Sequence, residues 1–407
     1  MKKILHILAQ RPGMTGSGIF IQSLVREAHK KGYNQSVIYG TTPKSEDSKL
    51  IPLIPEELKF PVNFETEELP FPVVGMSDIM PYNNRTYSSM DNHSLQLWKS
   101  SFKKVLLKAV EEFKPDIVIS HHLWLLTSYV KELFPNIRVV GVSHGTGLRQ
   151  LTLAKQFSEY VKKGISKIDI ILALNEYQKN EISKSYNIPK CKIKITGTGY
   201  NSSAFFPPLE KKRNKKARVI YAGKMSKAKG VEQLINSFNS LPFKKEEIEL
   251  LMFSAGSGKE AEYLSKMVED SSNIVNMGMV SNSELGEHFR EADIFILPSL
   301  YEGVPLVILE ALASGLKVIT TDLPGLKSWV GEDINRSGII TYIDLPPLKN
   351  RDCIESGEKE FENRIKKALE LSINGVIDNR KYNTENINKL VEKRSWEALF
   401  EKIETYF

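Results

Sequence analysis

Short apolar, β-branched runs alternate with amphipathic helical patterns along this chain, and the alternation starts twice. The first series of runs is KILHILA, QSVIYG, DIVISHH, RVVGVSHG, DIILALN and KIKITGTG. The second series is ARVIYAGK, IELLMFSAG, NIVNMGMV, ADIFILPS, KVITTD and GIITYID. Strands that are separated by helices form parallel sheets, because a parallel pair needs a long crossover connection. The sequence therefore predicts an α/β fold with two successive doubly wound, Rossmann-like sheets.

Between the two series lies a proline- and lysine-rich stretch, residues 206–216, which predicts the hinge between two domains. The chain has 407 residues, of which 41% are hydrophobic, so it has enough apolar side chains for two cores. Doubly wound sheets bind their ligands at the carboxyl ends of the strands. We therefore expect a ligand to bind between the two domains, at those strand ends.

Composition limits the compartment in which the protein works. Cys191 and Cys353 are the only cysteines, and their spacing suggests neither a disulfide framework nor a zinc site. The first ten residues, MKKILHILAQ, predict a strand rather than a signal peptide, because no small-residue cleavage site follows. No run reaches the roughly 20 apolar residues that a membrane span needs. We expect a cytoplasmic protein that contacts the inner face of a membrane at most peripherally.

The formal net charge of +7 favours anionic partners without choosing among phosphates, anionic lipids and nucleic acid. The densest basic run, residues 211–216, has no interleaved aromatic side chains on which bases could stack. A solvated loop is therefore favoured over a nucleic-acid patch. We expect no nucleic-acid partner.

Residues 43–97 interrupt the α/β rhythm with seven prolines set among aromatic and acidic residues. A long stretch without regular structure is uncommon in a compact domain unless it is functional. Two interpretations stay open at this point. The stretch is either an acceptor-side loop, with Met76 and Asp78 at the ligand, or a packed structural excursion.

The strongest functional signal is YEGVPLVILE, residues 301–310, which follows the strand ADIFILPS and opens a helix. Glu302 precedes the helix and Glu310 lies more than one turn inside it, so the two carboxylates can reach different parts of one extended ligand. Pro305 suits the first helical turn, and free N–H groups at a helix start bind phosphate or sugar oxygens. The alternative is a surface acid together with a helix-capping charge.

Cations and glycines follow other strands. The run GKMSKAKG, residues 223–230, brings lysines to the end of a strand, where they can neutralise a diphosphate without a divalent metal. The alternative there is a solvated lysine loop. Gly16, Ser17 and Gly18 join the first strand to the first helix, as a loop that approaches phosphates would. A dehydrogenase is not supported, because neither the G-x-G-x-x-G order nor an acid after the second strand is present.

Histidines mark the strand ends of the first half. His144 ends one strand, and His121 and His122 end the strand before it. Three histidines without a nearby carboxylate make a poor metal site, so we assign no metal.

Together these motifs resemble glycosyltransferase family 4 (glycosyl transferases group 1), the retaining enzymes with the GT-B fold. The resemblance runs through the first glycine loop, His144-Gly145, GTGYNSSAFFPP, GKMSKAKG, GSG, the two-glutamate element and the tail RSWEALFEKIETYF. It implies two Rossmann-like domains that face each other across a cleft. Residues 1–205 would form the acceptor-binding domain and residues 206–385 the nucleotide-sugar domain. The final helix, 386–407, would pack back on the first domain.

The resemblance also implies roles for single residues. The catalytic set would be Glu302, which holds the sugar and distal phosphate, His144, which touches the transferred sugar, and Lys229 and Lys224, which grip the diphosphate. The family usually has Arg where Lys224 stands. Glu310 would bind the donor ribose, and main-chain atoms near Val280 would meet the nucleobase. The other donor-binding residues would be Gly16, Ser17, Gly18, Arg149, Gly223, Gly256, Gly303, Val304, Pro305 and Leu306. Met76, Asp78, His121 and His122 would lie on the acceptor side.

The activity implied is that of a retaining hexosyltransferase that needs no cofactor and no metal. A nucleotide diphosphate sugar, with UDP favoured by family frequency, would donate its sugar to an acceptor hydroxyl, and the leaving diphosphate would accept the proton. The acceptor would be sugar-bearing, lipid-linked or a small metabolite, as in cell-surface glycan synthesis. Two alternatives stay open: a GT-B sugar-nucleotide epimerase or phosphorylase, and a non-catalytic sugar-nucleotide-binding module.

Overall fold

The structure, a computed structural model, describes residues 2–13, 15–78, 80–210, 215–302, 304–349, 352–353, 355–378 and 384–407. The chain divides into two compact units, Met1–Thr198 with Trp396–Phe407, and Gly199–Ser395. Most of the predicted basic run, residues 211–214, lies outside the described residues. Among the helices described, none combines the length and the apolarity that a membrane span requires.

The first unit is built on a parallel sheet whose strands are buried on both faces. Its strands are β1 (Lys3–Leu8), β2 (Asn34–Thr41), β3 (Lys59–Asn63), β6 (Ile117–His121), β7 (Arg138–Val142), β8 (Ile170–Ala173) and β9 (Ile193–Ile195). A separate two-residue pair consists of β4 (Val74–Gly75) and β5 (Arg85–Thr86). The order in the large sheet is β3-β2-β1-β6-β7-β8-β9, and every pairing is parallel. Continuous apolar runs suit these strands because helices cover both faces of such a sheet.

Helices connect these strands as the sequence predicts. They are α1 (Gly16–Lys30), α2 (Asn92–Phe113), α3 (Leu125–Leu133), α4 (Thr146–Leu153), α5 (Ser158–Ile165) and α6 (Glu176–Tyr186). The ends of α2 show why they form where they do. The Asp91 side chain accepts the N–H of Ser94 at the start, and Lys114 takes the left-handed conformation at the end, directly before Pro115.

Strand β3 is not predicted by the sequence pattern, because Pro61 interrupts it. The structure places β3 at the edge of the sheet. A proline is tolerated at an edge, where its missing N–H is not needed for pairing. The remainder of residues 43–97 contributes to the first core, in which Phe64, Val73 and Tyr87 are fully buried. An acceptor-side role of this stretch stays a prediction.

The C-terminal helix, Trp396–Glu404, completes the first unit by packing on α1. The Trp396 ring meets the Phe20 ring edge to face, with centroids 5.2 Å apart. Glu404 accepts hydrogen bonds from Lys31 Nζ and Tyr33 Oη, each at 2.6 Å. The return to the first unit occurs at Trp396 rather than at residue 386, because Ile387 and Val391 are buried in the second core.

The second unit repeats the architecture. Its strands are β10 (Ala217–Lys224), β11 (Ile248–Ala255), β12 (Ile274–Asn276), β13 (Ile294–Leu297), β14 (Lys317–Thr321) and β15 (Ile340–Ile343), with a small antiparallel pair, β16 (Leu348–Lys349) and β17 (Asp352–Cys353). Its helices are α7 (Val231–Asn239), α8 (Lys259–Glu269), α9 (Asn282–Glu291), α10 (Leu306–Ala313), α11 (Leu326–Val330), α12 (Glu332–Arg336), α13 (Glu355–Ile377) and α14 (Thr384–Glu392). The large sheet has the order β12-β11-β10-β13-β14-β15, all parallel. Residues 199–205 also belong here, since Phe205 is fully buried in this core.

Each large sheet contains one switch point, where neighbouring strands are followed by connections that run in opposite directions across the sheet. It lies between β1 and β6 in the first sheet and between β10 and β13 in the second. Loops that follow such strands leave a crevice in which ligands of doubly wound proteins bind. The predicted fold class, α/β with two doubly wound Rossmann-like domains, is confirmed.

Candidate functional site

Lys229 and Glu302 form an ion pair at the switch point of the second sheet. They follow β10 and β13, which are neighbours, so the two strand-end loops meet. The Lys229 Nζ lies 2.7 Å from Oε1 of Glu302, with 22% and 17% of the two side chains exposed. The loops touch so closely that a Cβ on Gly230, whose φ is +67°, would lie 2.2 Å from the Pro298 carbonyl oxygen. Backbone contact therefore fixes the separation of the pair.

Ser299 makes a second contact with Glu302, which the sequence pattern did not predict. Its Oγ donates to Oε1 of Glu302 at 2.8 Å. Ser299 is completely buried, and its carbonyl accepts a hydrogen bond from Oγ1 of Thr321 at 2.5 Å. The spacing of three residues between Ser299 and Glu302, at a strand end, was the available signal. Glu302 is thus oriented from two sides before any ligand arrives.

Ser299→Ala is expected to lower kcat/KM for the reaction proposed below about threefold, because Glu302 would keep Lys229 but lose its second anchor. Steady-state kinetics of the purified variant measure this. Ser254→Ala is the matched control, since Ser254 is a buried serine on β11 of the same sheet, and its hydroxyl has no hydrogen-bond partner among the described residues. Equal kinetics for the two variants would contradict the orienting role.

Glu310 lies on α10, eight residues after Glu302, and is partly buried. Burial raises the pKa of its carboxyl to about 7. Within the described residues no hydrogen bond or ion pair compensates the buried charge. A carboxylate held this way destabilises the fold when it is ionised, which is typical of a group that serves a ligand.

The start of α10 offers fewer free backbone N–H groups than the sequence predicts. Its predicted anion-binding groups were the amides of Gly303, Val304, Pro305 and Leu306. Gly303 lies outside the described residues, and Pro305, the residue before the helix, has no N–H. The N–H of Leu306 donates to the Val304 carbonyl at 3.0 Å, so it is not free for a ligand. Val304 is partly buried against the second core.

The other predicted residues of the second unit surround the same strand ends. Lys224 is exposed at the last position of β10, and its carbonyl accepts the hydroxyl of Tyr221 at 2.8 Å. A Cβ on Gly223 would meet that hydroxyl at 2.8 Å, and one on Gly256 would meet the Met225 carbonyl at the same distance. Packing thus accounts for both glycines. Val280 is partly buried against the core, directly before α9.

In the first unit, the glycines of the loop between β1 and α1 differ in their surroundings. A Cβ on Gly18 would lie 2.0 Å from the Gly13 carbonyl, and the Gly18 N–H already donates to Thr15 Oγ1 at 3.0 Å. Gly16 begins α1 and a Cβ there would meet nothing within 4 Å. Ser17 is buried, and its Oγ accepts a hydrogen bond from Gln10 Nε2 at 2.9 Å. Open space for a ligand therefore lies at Gly16, and Gly18 serves the packing of the loop.

Two buried glutamines hold the predicted acceptor segment, and no sequence signal identified them. Gln10 Oε1 accepts the N–H of Met76 at 3.2 Å, and Gln150 Nε2 donates to the Met76 carbonyl at 3.0 Å. Met76 itself is 2% exposed, so its side chain packs in the core rather than at a ligand. Next to it, Asp78 forms an ion pair with Arg149, with Oδ2 and Nη2 2.9 Å apart. Arg149 is thus partly neutralised where a phosphate contact was predicted.

Three predicted histidines form one cluster at adjacent strand ends. Nδ1 of His121 is 3.1 Å from Nε2 of His144, and Nδ1 of His122 is 2.9 Å from Oγ1 of Thr146. Burial lowers the pKa of His144 to about 3 and the pKa values of His121 and His122 well below their ordinary value. The three rings are therefore neutral near pH 7. Across the described ranges, no three His, Cys, Asp or Glu side chains are arranged to hold a metal ion.

Two family models match the chain along adjoining stretches. The model described as glycosyltransferase family 4 matches residues 14–203, and the model described as glycosyl transferases group 1 matches residues 204–344. Their order along the chain corresponds to the order of the two units.

Curated relatives match this chain over part of its length and at low identity. Two uncharacterised glycosyltransferases of Methanocaldococcus jannaschii are 27% and 28% identical over 46% and 61% of this chain. The matches span 49% and 65% of those proteins, so the chain covers less than two thirds of the length of either. The O-antigen chain mannosyltransferase B of Escherichia coli is 24% identical over 63% of this chain and 73% of its own length.

Solved structures resemble the whole chain. Sucrose-phosphate synthase from Thermosynechococcus elongatus has a TM-score of 0.68 at 15% identity, covering 100% of this chain and 98% of that one. HepE of Anabaena, in complex with UDP and glucose, has a TM-score of 0.65 at 12% identity, covering 100% and 99%. At such identities the likeness concerns the fold. The two doubly wound sheets and these neighbours define a protein of the GT-B class.

The family follows from the two models that together cover residues 14–344. This chain belongs to the group 1, family 4 glycosyltransferases.

Proposed function

We propose that this protein is a retaining glycosyltransferase that moves a hexose from a nucleotide diphosphate sugar to an acceptor hydroxyl. The single observation that carries the proposal is the Lys229–Glu302 pair at the switch point of the second sheet, with Glu310, which has no side-chain partner among the described residues, eight residues further on. An ammonium group suits a diphosphate, and two carboxylates suit the hydroxyls of a sugar and of a ribose. One extended ligand satisfies all three groups.

The proposed reaction requires mainly that the protein stabilise the charge of the leaving diphosphate and position the acceptor hydroxyl. The bond between the anomeric carbon and the diphosphate oxygen breaks, and a bond to the acceptor oxygen forms on the same face. The acceptor proton passes to the leaving diphosphate. Negative charge grows on that diphosphate, and the partly buried Lys229 stabilises it together with the exposed Lys224. The lysines supply this charge themselves, so we propose that neither a metal nor a cofactor is needed.

Release of free nucleotide diphosphate tests the proposal against its alternatives. The full chain is mixed with a panel of nucleotide sugars and candidate acceptors, with and without EDTA. We expect diphosphate release that depends on the acceptor and persists in EDTA, and a product whose anomeric configuration by NMR equals that of the donor. A change of sugar configuration without transfer would indicate an epimerase. Donor binding without turnover across the panel would indicate a binding module.

We propose UDP as the nucleotide of the donor. Support comes from HepE of Anabaena, which has the same fold and was solved with UDP and glucose. A ligand that binds only the native state raises the melting temperature. A thermal-shift comparison of UDP, GDP and ADP therefore tests the choice, and a larger shift with GDP or ADP would overturn it.

For the acceptor, we propose a molecule with at least one anionic group. The supporting observation is the charge of the two units. The first unit has 28 Lys and Arg against 21 Asp and Glu, whereas the second has 28 of each, so the first unit carries the whole net charge of +7. A basic unit raises the local concentration of an anionic acceptor.

Salt dependence tests this choice. Between about 50 and 500 mM NaCl, where the screening length falls from above 10 Å to below it, the KM for an anionic acceptor is expected to rise severalfold. The KM of a neutral acceptor with the same terminal sugar is the control and is expected to change little. Equal salt dependence for both acceptors would contradict the proposal.

A further inference from the structure

The pairing of the buried His121 with the partly buried His144 fixes where the protons of the two rings lie. Resting on the proposed function, and on the role at the transferred sugar that the family resemblance implies for His144, we propose that His121 is a positioning residue. It holds His144 in the tautomer with the proton on Nδ1. His144 then presents a hydrogen-bond donor to the ligand and does not act as a base.

The geometry is that of a hydrogen bond between two rings. His121 is the last residue of β6 and pairs with Val142, the last residue of β7, two positions before His144. The ring planes of His121 and His144 differ by 10°, and the nitrogens Nδ1 and Nε2 are 3.1 Å apart. A nearly coplanar arrangement at this distance suits an N–H of one ring that points at the lone pair of the other.

Packing around the pair holds both rings in place. Phe20 meets His121 and His144 edge to face, with centroid distances of 5.9 and 5.2 Å. Phe20 is in turn packed against Trp396 of the C-terminal helix. His121 is 1% exposed, so solvent does not offer its nitrogens another partner.

Counting protons decides which ring donates. Both rings are neutral near pH 7, because burial lowers their pKa values. One ring must therefore supply an N–H and the other a bare nitrogen. Nε2 of His121 is buried and has no hydrogen-bond partner among the residues that the structure describes. If that atom carried the proton, a buried N–H would lack an acceptor, and such orphan donors are rare in native structures. The proton of His121 therefore lies on Nδ1 and is donated to Nε2 of His144.

The state of His144 follows directly. Its Nε2 accepts from His121, so its own proton must be on Nδ1. The ring is only partly buried, and among the described residues no protein group bonds Nδ1. The nitrogen left for a ligand is thus a neutral N–H. It can stabilise an oxygen of the sugar or of the diphosphate, but it cannot take the proton of the acceptor hydroxyl.

Nitrogen-15 NMR of the full chain, labelled on histidine, tests the inference without using activity. The His144→Gln spectrum assigns the signals. In the wild type we expect Nδ1 of His144 to be protonated and Nε2 to be bare. In His121→Leu the proton of His144 is expected to shift towards Nε2. In His121→Asn, whose amide N–H can replace the lost donor, the wild-type pattern is expected to persist.

His6→Gln is the matched control, since His6 is another buried histidine of the same sheet and bonds Gln35 instead, at 3.0 Å. It is expected to leave the His144 signals unchanged. A wild-type His144 protonated on Nε2, or a His144 pattern unaffected by His121→Leu, would overturn the inference.

Kinetics give a second readout. We expect His121→Leu to lower kcat about fivefold with little change in donor KM, and His121→Asn to recover most of that loss. Normal kcat in His121→Leu would also contradict the role. If no nucleotide sugar is turned over by the wild type, the proposed function fails, whereas the NMR result still decides the tautomer.

Discussion

Lys229→Ala is expected to lower kcat/KM for sugar transfer tenfold or more, a loss of at least about 1.4 kcal/mol in transition-state stabilisation. The Lys229 ammonium is partly buried and already lies 2.7 Å from Glu302, so its charge is fixed where the diphosphate is expected to leave. A fixed charge in a partly dehydrated site stabilises a growing negative charge more than a mobile surface lysine does. Initial rates at several donor concentrations measure the effect.

Lys227→Ala is the matched control for this experiment. Lys227 belongs to the same short turn, but its Nζ pairs with Glu232 at 2.9 Å and not with Glu302. We expect nearly normal turnover in Lys227→Ala and similar melting temperatures in both variants, because partly exposed ion pairs contribute little to stability. Glu302→Gln, which keeps the shape but removes the charge, is also expected to lose tenfold or more. Near-normal rates in Lys229→Ala and Glu302→Gln would remove the assigned donor site.

Glu310→Ala is expected to weaken binding of the nucleotide about tenfold while making the ligand-free protein more stable above pH 7. The two effects have one cause, the desolvated carboxylate, for which the described part of the chain supplies no partner. Its pKa in the folded state is about 7, above the ordinary 4.5. The folded protein therefore holds this proton more tightly than the unfolded chain does, so stability falls as the pH rises from about 4.5 to about 7.

Replacing Glu310 removes that pH-dependent loss, and Glu310→Gln isolates it because the size of the side chain hardly changes. Above pH 7 we expect Glu310→Gln to gain about 1 to 3 kcal/mol in the free energy of unfolding, measured with urea. Nucleotide affinity of the wild type is expected to fall below pH 7, since ribose hydroxyls donate to the ionised carboxylate. A merely structural carboxylate would show the opposite pattern, with lower stability and unchanged affinity in Glu310→Ala.

The sequence predicted the fold well where its periodicity was strong. Buried parallel strands such as β1 and β13 are continuous apolar runs, and both lie inside the predicted runs, with ends at most two residues away. Strand β3 was not predicted, because Pro61 interrupts the apolar pattern by which the other strands were recognised. The chain returns to the first unit at Trp396 because Ile387 and Val391 are buried in the second core. The local sequence does not show which of the two cores buries these side chains.

In the candidate site, too, some contacts could be predicted from the sequence and others could not. The neighbouring positions of β10 and β13 follow from the doubly wound pattern, so the meeting of Lys229 and Glu302 could be expected from the sequence. The partners that hold them could not. Ser299 acts through a short contact within one turn, and Gln10 and Gln150 act through hydrogen bonds to a backbone far away in the sequence. Such contacts depend on tertiary geometry, for which a single sequence carries no periodic signal.

Binding of UDP and UMP to the wild type and to Lys229→Ala, measured by calorimetry, tests most directly that Lys229 binds the distal phosphate of the donor. The two ligands differ only in that phosphate, and the two proteins differ only in the side chain of residue 229, whose ammonium group is expected to bind it. We expect the wild type to prefer UDP by about tenfold or more, and Lys229→Ala to lose most of that preference while binding UMP as before. An equal preference for UDP in both proteins, or none in the wild type, would contradict the account.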